Sequence, residues 1–148
     1  MNRTVTTSAE QTRAFGENLA AHLLPGDVVL LLGRMGAGKS ELARGIARGL
    51  GVSETVSSPT FTILKAYDSG RVPFYHFDWY RVRGVEELHE LSMEEYLGGD
   101  GIAAVEWPER AMGVVPPGHL RVTLTPLEDE EREILIAPAG GFHPLFSG

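Results

Sequence analysis

Cysteine is absent from this 148-residue chain, which excludes disulfides, zinc–thiolate centres and thiol nucleophiles. A chain without disulfides fits a reducing compartment, and a cytoplasmic location is expected. Long apolar runs are also missing. The longest purely aliphatic stretch, Val28–Leu32, falls far short of the roughly 20 residues that cross a bilayer. The polar segment 1–10 lacks the apolar run of a secretory signal, so no membrane association is expected. Lysine is scarce: of thirteen basic residues only Lys39 and Lys65 are lysines, and the formal net charge is −7. A protein that grips nucleic acid unaided usually presents a basic face, so independent nucleic-acid binding is not expected. His22, His76, His89, His119 and His143 show no metal-ligand spacing, so no histidine metal centre is expected.

The remaining composition, 43% hydrophobic and 22% charged, suits one domain with a buried core. Residues 4–7 read as a short strand. Ser8 with Gln11 three residues later matches a capping box, and Phe15, Leu19 and Leu23 follow at helical spacing. Pro25-Gly26 stops that unit. The unbroken aliphatic stretch in 27–32 suits a central strand covered on both faces. A glycine-rich turn leads into a helix over 40–50, with Leu42, Ile46 and Leu50 on one face. Gly45 and Gly49 cost that helix about 1 kcal/mol each relative to alanine; close packing against the sheet would explain them. Segments 61–67 and 72–77 read as one antiparallel hairpin, and 120–127 with 131–137 as a second, across an acidic turn. Between them lie helix over 85–97, in one or two pieces, and a strand over 101–105 ending at Glu106. The sum predicts a single α/β domain over 1–137, with a mixed, mainly parallel central sheet flanked by helices and antiparallel hairpins. Residues 138–148 form a Gly/Pro-rich tail in which Phe142, Leu145 and Phe146 are the docking candidates.

Gly33-Arg34-Met35-Gly36-Ala37-Gly38-Lys39-Ser40 fits the phosphate-loop pattern G-x-x-x-x-G-K-[ST] at every fixed position. The residue types follow from the task. Glycines let the backbone wrap phosphates with successive N–H groups inward. The next helix adds its N-terminal N–H groups and dipole. Lys39 supplies a cation for the β- and γ-phosphates, and the Ser40 hydroxyl is placed to ligate Mg²⁺. Mg²⁺ also needs a carboxylate from a neighbouring strand end. Asp78 and Glu106 both qualify; Glu106 ends the cleaner aliphatic strand and is slightly favoured. Trp79, Tyr80 and Trp107 read as core or interface aromatics. Arg81, Arg83, Arg110 and Arg132 are candidates for phosphate or partner contacts, with surface ion pairing the commoner role.

Four blocks, in order, resemble the TsaE (formerly YjeE) family, the ATPase component of bacterial tRNA threonylcarbamoyladenosine synthesis. They are Gly36-Ala37-Gly38-Lys39-Ser40, Ser58-Pro59-Thr60-Phe61, Tyr75-His76-Phe77-Asp78-Trp79-Tyr80-Arg81 and Val105-Glu106-Trp107-Pro108-Glu109. The resemblance implies a Mg²⁺-dependent ATPase with Lys39, Asp78, Glu106 and Trp107 in catalysis and Ser40 and Glu106 on the metal. It implies ATP contacts at Thr12, Gly33, Gly36, Ala37, Gly38, Lys39, Ser40, Glu41, Thr60 and Arg132, with Ser58 to Phe61 as a nucleotide-responsive loop. It further implies a protein partner, the TsaB–TsaD pair that modifies adenosine in tRNA, with tRNA met only through that pair. The chain departs from the family at Arg34-Met35, where an acidic residue and leucine are common, and at Ser40-Glu41, where threonines are common. Two other functions suit a phosphate loop: a small-molecule or nucleoside kinase, and a nucleotide-sensing scaffold with little hydrolysis.

Overall fold

The apolar run Val28–Leu32 forms strand β2, buried along its first four residues, and takes the middle of a seven-stranded sheet. An aliphatic strand is covered on both faces only in such a place. The structure is a computed structural model and describes residues 2–57, 59 and 62–144. β2 pairs in parallel with β5 (Ile102–Glu106) on one side and β6 (His119–Pro126) on the other, and β4 (Phe74–Asp78) lies parallel to β5. Antiparallel pairs finish both ends. β3 (Leu64–Tyr67) pairs with β4, β7 (Arg132–Ala139) with β6, and β1 (Asn2–Thr6) with β7, giving the order β1-β7-β6-β2-β5-β4-β3. The expected α/β architecture, a parallel centre with antiparallel hairpins outside it, is the one formed.

Helices α1 (Ala9–Ala20) and α2 (Lys39–Gly49) cover one face of the sheet. Ser8 Oγ accepts from the Gln11 N–H at 3.1 Å, and Gln11 Oε1 accepts from the Thr7 N–H at 2.7 Å, so the capping exchange reaches one residue further back than the ideal box. Leu19, Leu42 and Ile46 pack there on Val29, Leu31, Ala104 and Val122. Val28, Leu30, Phe77 and Val105 point the other way, to a layer of Trp79, Val82 and Leu88, the last on α3 (Val85–Glu90). Strand alternation therefore turns Phe74, His76 and Asp78 of β4, and Ala104 and Glu106 of β5, toward α2.

Close packing does explain the helix glycines, but the neighbour is α1 and not the sheet. A Cβ at Gly45 would stand 2.1 Å from the Arg13 carbonyl oxygen, and one at Gly49 would stand 2.5 Å from that of Glu17. The reciprocal contact is Gly16, whose added Cβ would meet the Leu42 oxygen at 2.5 Å. The two helices touch backbone to backbone, which only residues without a side chain allow.

Other boundaries shift for local reasons. The third strand begins at Leu64, because Ile63 takes the left-handed conformation (φ 68°); Phe61, at the predicted start, lies outside the described residues. The helical stretch 85–97 divides into α3 and a 3₁₀ turn, Glu94–Tyr96, with Ser92 at φ 54° between them. β7 runs through Ala139, two residues beyond the predicted end. Phe142 then packs on the α1–α2 side of the core, and His143 Nε2 donates to Asp27 Oδ2 at 2.6 Å. Leu145 and Phe146 lie outside the described residues. No helix among the described residues is long and apolar enough to cross a membrane.

Two expected outcomes follow from this packing. Gly45→Ala would stabilise an exposed helix by about 1 kcal/mol, but here overpacking makes it destabilising by about 1–3 kcal/mol in urea unfolding. The Asp27 carboxylate raises the His143 pKa above the ordinary histidine value. That contribution is complete below the unfolded-state value, about 6.5, and is lost as pH rises through the higher folded value. His143→Gln therefore lowers the melting midpoint more at about pH 5.5 than at about pH 8.5.

Candidate functional site

The turn between β2 and α2 carries Gly36 at φ 80° and Gly38 at φ 101°, both in the left-handed region that side chains disfavour. Such a path directs successive N–H groups into a concavity suited to an anion. Gly38 is also the N-cap of α2 and offers no side-chain cap, so the first-turn N–H groups of the helix remain open to a ligand. Lys39 begins α2 and is 6% exposed. Its Nζ donates to the Gly33 carbonyl at 2.7 Å and stands 3.8 Å from the centre of the Trp107 ring. Burial pushes the Lys39 pKa down from the ordinary lysine value, and the charges of Glu106, Glu109 and Asp78 pull it back up.

Two of those charges arrive from parallel strands. Asp78 and Glu106 are register partners at the ends of β4 and β5, on the same side of the sheet. Asp78 Oδ1 accepts from the Tyr80 N–H at 2.9 Å, closing the turn after the strand. Glu106 Oε2 accepts from His76 Nε2 at 2.7 Å. Both acids line a cleft of about 330 Å³ with Gly36, Gly38, Lys39, Ser40, Glu41, Trp107 and Arg132. Among the described residues no group of three or more His, Asp or Glu side chains is placed to hold a metal ion by itself. Two carboxylates and a serine hydroxyl are hard oxygen donors of the kind Mg²⁺ uses when water and phosphate complete its shell.

Trp107 sits at the end of β5 with φ 58° and ψ 49°, left-handed backbone that costs a bulky residue on the order of 1–3 kcal/mol. The strained turn lays its indole across the cleft, against Lys39 on one side and edge-on to Tyr80 at 5.0 Å. Arg110 in turn lies 5.5 Å from the Tyr80 ring.

The other expected residues divide. Arg132, at the start of β7, donates to the Gly36 carbonyl at 3.3 Å and so reaches the loop from the neighbouring hairpin. Glu41 lines the cleft while pairing with Arg13 and Arg44, each at 2.5 Å. Thr12 is buried outside the cleft and shares a hydroxyl–hydroxyl bond with Thr6 at 2.7 Å. It borders a smaller hollow of about 50 Å³ that shares Gly38, Glu41 and Arg132 with the cleft. Gly33 contributes its carbonyl to Lys39, and the Ala37 methyl is buried in the core. Thr60, with Ser58 and Phe61, lies outside the described residues. Sequence reasoning missed His76 under Glu106 and Tyr80 in the cleft wall. The signal for His76 was the two-residue strand period it shares with Asp78.

Comparison with known proteins agrees with the resemblance. The family model described as threonylcarbamoyl adenosine biosynthesis protein TsaE matches residues 6–134. A relative from Bacillus subtilis (strain 168), named tRNA threonylcarbamoyladenosine biosynthesis protein TsaE, is 40% identical over 140 residues, covering 95% of this chain and 87% of its own. A relative of the same name from Treponema pallidum (strain Nichols) is 38% identical over 135 residues, covering 91% of this chain and 99% of its own. The crystal structure of Bacillus subtilis YdiB superposes with a TM-score of 0.81 at 36% identity, covering 95% of this chain and 86% of that one.

The chain has two tryptophans, Trp79 fully buried in the opposite layer and Trp107 against Lys39. A ligand that draws Lys39 away from the indole changes the environment of Trp107 alone. Tryptophan emission is expected to change when a non-hydrolysable ATP analogue is added, and Trp107→Phe is expected to abolish the change. A full response in that variant would place the ligand elsewhere.

Proposed function

The chain belongs to the TsaE family of threonylcarbamoyl adenosine biosynthesis proteins, and we propose that it is a Mg²⁺-dependent ATPase of tRNA threonylcarbamoyladenosine synthesis. The observation that carries this is a buried lysine inside a glycine-rich turn, faced by paired strand-end carboxylates. In this proposal Gly36, Gly38 and the first turn of α2 receive the phosphates through main-chain N–H groups. Lys39 leaves the Gly33 carbonyl and the Trp107 ring to neutralise the β- and γ-phosphates. Arg132, Glu41 and Thr12 border the base side of the nucleotide, and Thr60 belongs to the loop that responds to it. Ser40 and Glu106 hold Mg²⁺, which when bound neutralises the charge that develops on the phosphates. Asp78 orders the attacking water or the water shell around the metal, and Trp107 shields the site from solvent.

Turnover by the chain alone is expected to be slow. Arg132, the arginine of the cleft wall, is engaged by the carbonyls of Gly36, Asp129 and Glu131. Stabilising arginines in such sites often come from a partner. We propose that this partner is a TsaB–TsaD-like complex in the cytoplasm, with hydrolysis resetting the complex between modification cycles. The net charge of −7 favours a protein that meets tRNA through its partners.

Lys39→Ala is expected to lower phosphate release on the order of 100-fold and to weaken triphosphate binding in calorimetry. Wild-type affinity and rate in that variant would exclude this site. Glu106→Ala is expected to remove the Mg²⁺ dependence of hydrolysis more than it weakens binding. If Asp78→Ala does so instead, the metal acid is the other one. Phosphate release should rise when the TsaB–TsaD pair is added, and the gene should restore the modified nucleoside to a strain lacking its own component; a folded protein that does neither sinks the assignment.

A further inference from the structure

His76 is 1% exposed, in a strand whose other residues are aromatic apart from the terminal Asp78. Buried polar atoms are normally hydrogen-bonded; of the two ring nitrogens Nε2 has a partner, 2.7 Å away at Glu106 Oε2, and Nδ1 has none among the described residues. The two side chains, 1% and 6% exposed, meet diagonally across the strands. The register partner of His76 is Ala104, whose methyl leaves the ring room to reach Glu106 two residues further on. Phe74 stacks on the imidazole at 6.1 Å with planes 26° apart, which limits rotation of the ring. The carboxylate is thus gripped from behind by a ring with little freedom, while Glu106 also lines the cleft. The bond to His76 occupies one of the roughly four acceptor positions of the carboxylate, so the group keeps acceptor capacity for the cleft. Asp78 has a different attachment, its Oδ1 accepting from the Tyr80 main chain in the following turn.

We infer, resting on the nucleotide site proposed above, that His76 is a positioning residue: by donating Nε2–H to Oε2 it fixes the orientation of the Glu106 carboxylate, the group that would hold the divalent cation of the bound nucleotide. Groups that orient a metal-side ligand from behind typically change metal affinity about 10- to 100-fold when removed. A histidine that merely fills the core would instead affect folding, or nucleotide binding with and without metal alike.

Calorimetric titration with the non-hydrolysable analogue AMP-PNP, in Mg²⁺ and in EDTA, separates these cases for the full chain, His76→Gln and His76→Asn. Glutamine carries an amide N–H near the Nε2 position, whereas asparagine is too short to reach Glu106. His76→Asn is expected to lose about tenfold of the Mg²⁺-dependent gain in affinity while binding within about twofold of the parent in EDTA. His76→Gln is expected to keep that gain within about threefold. Equal Mg²⁺ gain in all three proteins overturns the inference, as does equal impairment of the two variants or an equal loss in EDTA. If the parent shows no Mg²⁺ gain, the metal–nucleotide site itself falls, and the inference with it. A second measurement needs no variant. The His76 Nε2–H proton resonance of the parent should shift when Mg²⁺ is added to the analogue-bound protein, and an unmoved resonance overturns the inference.

Discussion

Parallel pairing of β2, β5 and β4 is the constraint on which the site depends. Parallel strands bring their C-terminal ends to one edge of a sheet, and the chemistry of α/β folds collects there. In this protein that edge holds the exit of β2 into the glycine-rich turn and the adjacent acids Asp78 and Glu106. A slip of one residue in β4 or β5 would turn its acid to the opposite layer, among Phe77, Trp79 and Val105, because side chains alternate along a strand. The apolar run of β2 and the packing of both faces therefore fix the position of charge.

The helix pair adds a second constraint. Gly16, Gly45 and Gly49 let α1 and α2 touch along their backbones, which carries Arg13 of α1 to Glu41 beside the loop. The first turn of α2 is thereby held by a neighbouring helix as well as by the sheet. The loop keeps its left-handed glycines in place although α2 has no side-chain N-cap to anchor its start. The cleft is completed by a cation–π contact and a strained tryptophan. Lys39 keeps a polar acceptor and an aromatic face about its ammonium, so the buried charge is compensated. Both contacts are reversible, which suits the role proposed for this lysine.

The sequence by itself determined the element types and the loop. Strand β2, the capped helix α1, both hairpins and the glycine pattern at 33–40 are local: each rests on periodicity, on a cap or on backbone freedom over a few residues. The nomination of Asp78 and Glu106 was local too, since each follows an apolar strand. Tertiary structure alone decided which residues separated by long stretches of chain would meet. Glu106 finds His76, Lys39 finds Trp107, Arg132 reaches Gly36, and the helix glycines meet a helix where a sheet was expected. Strand order and register set these pairings, and both are chosen by burial of whole faces and not by any segment's own preference. A histidine two residues before an acid is visible in the sequence; that it grips the acid of the next strand depends on a neighbour small enough to let it pass, Ala104.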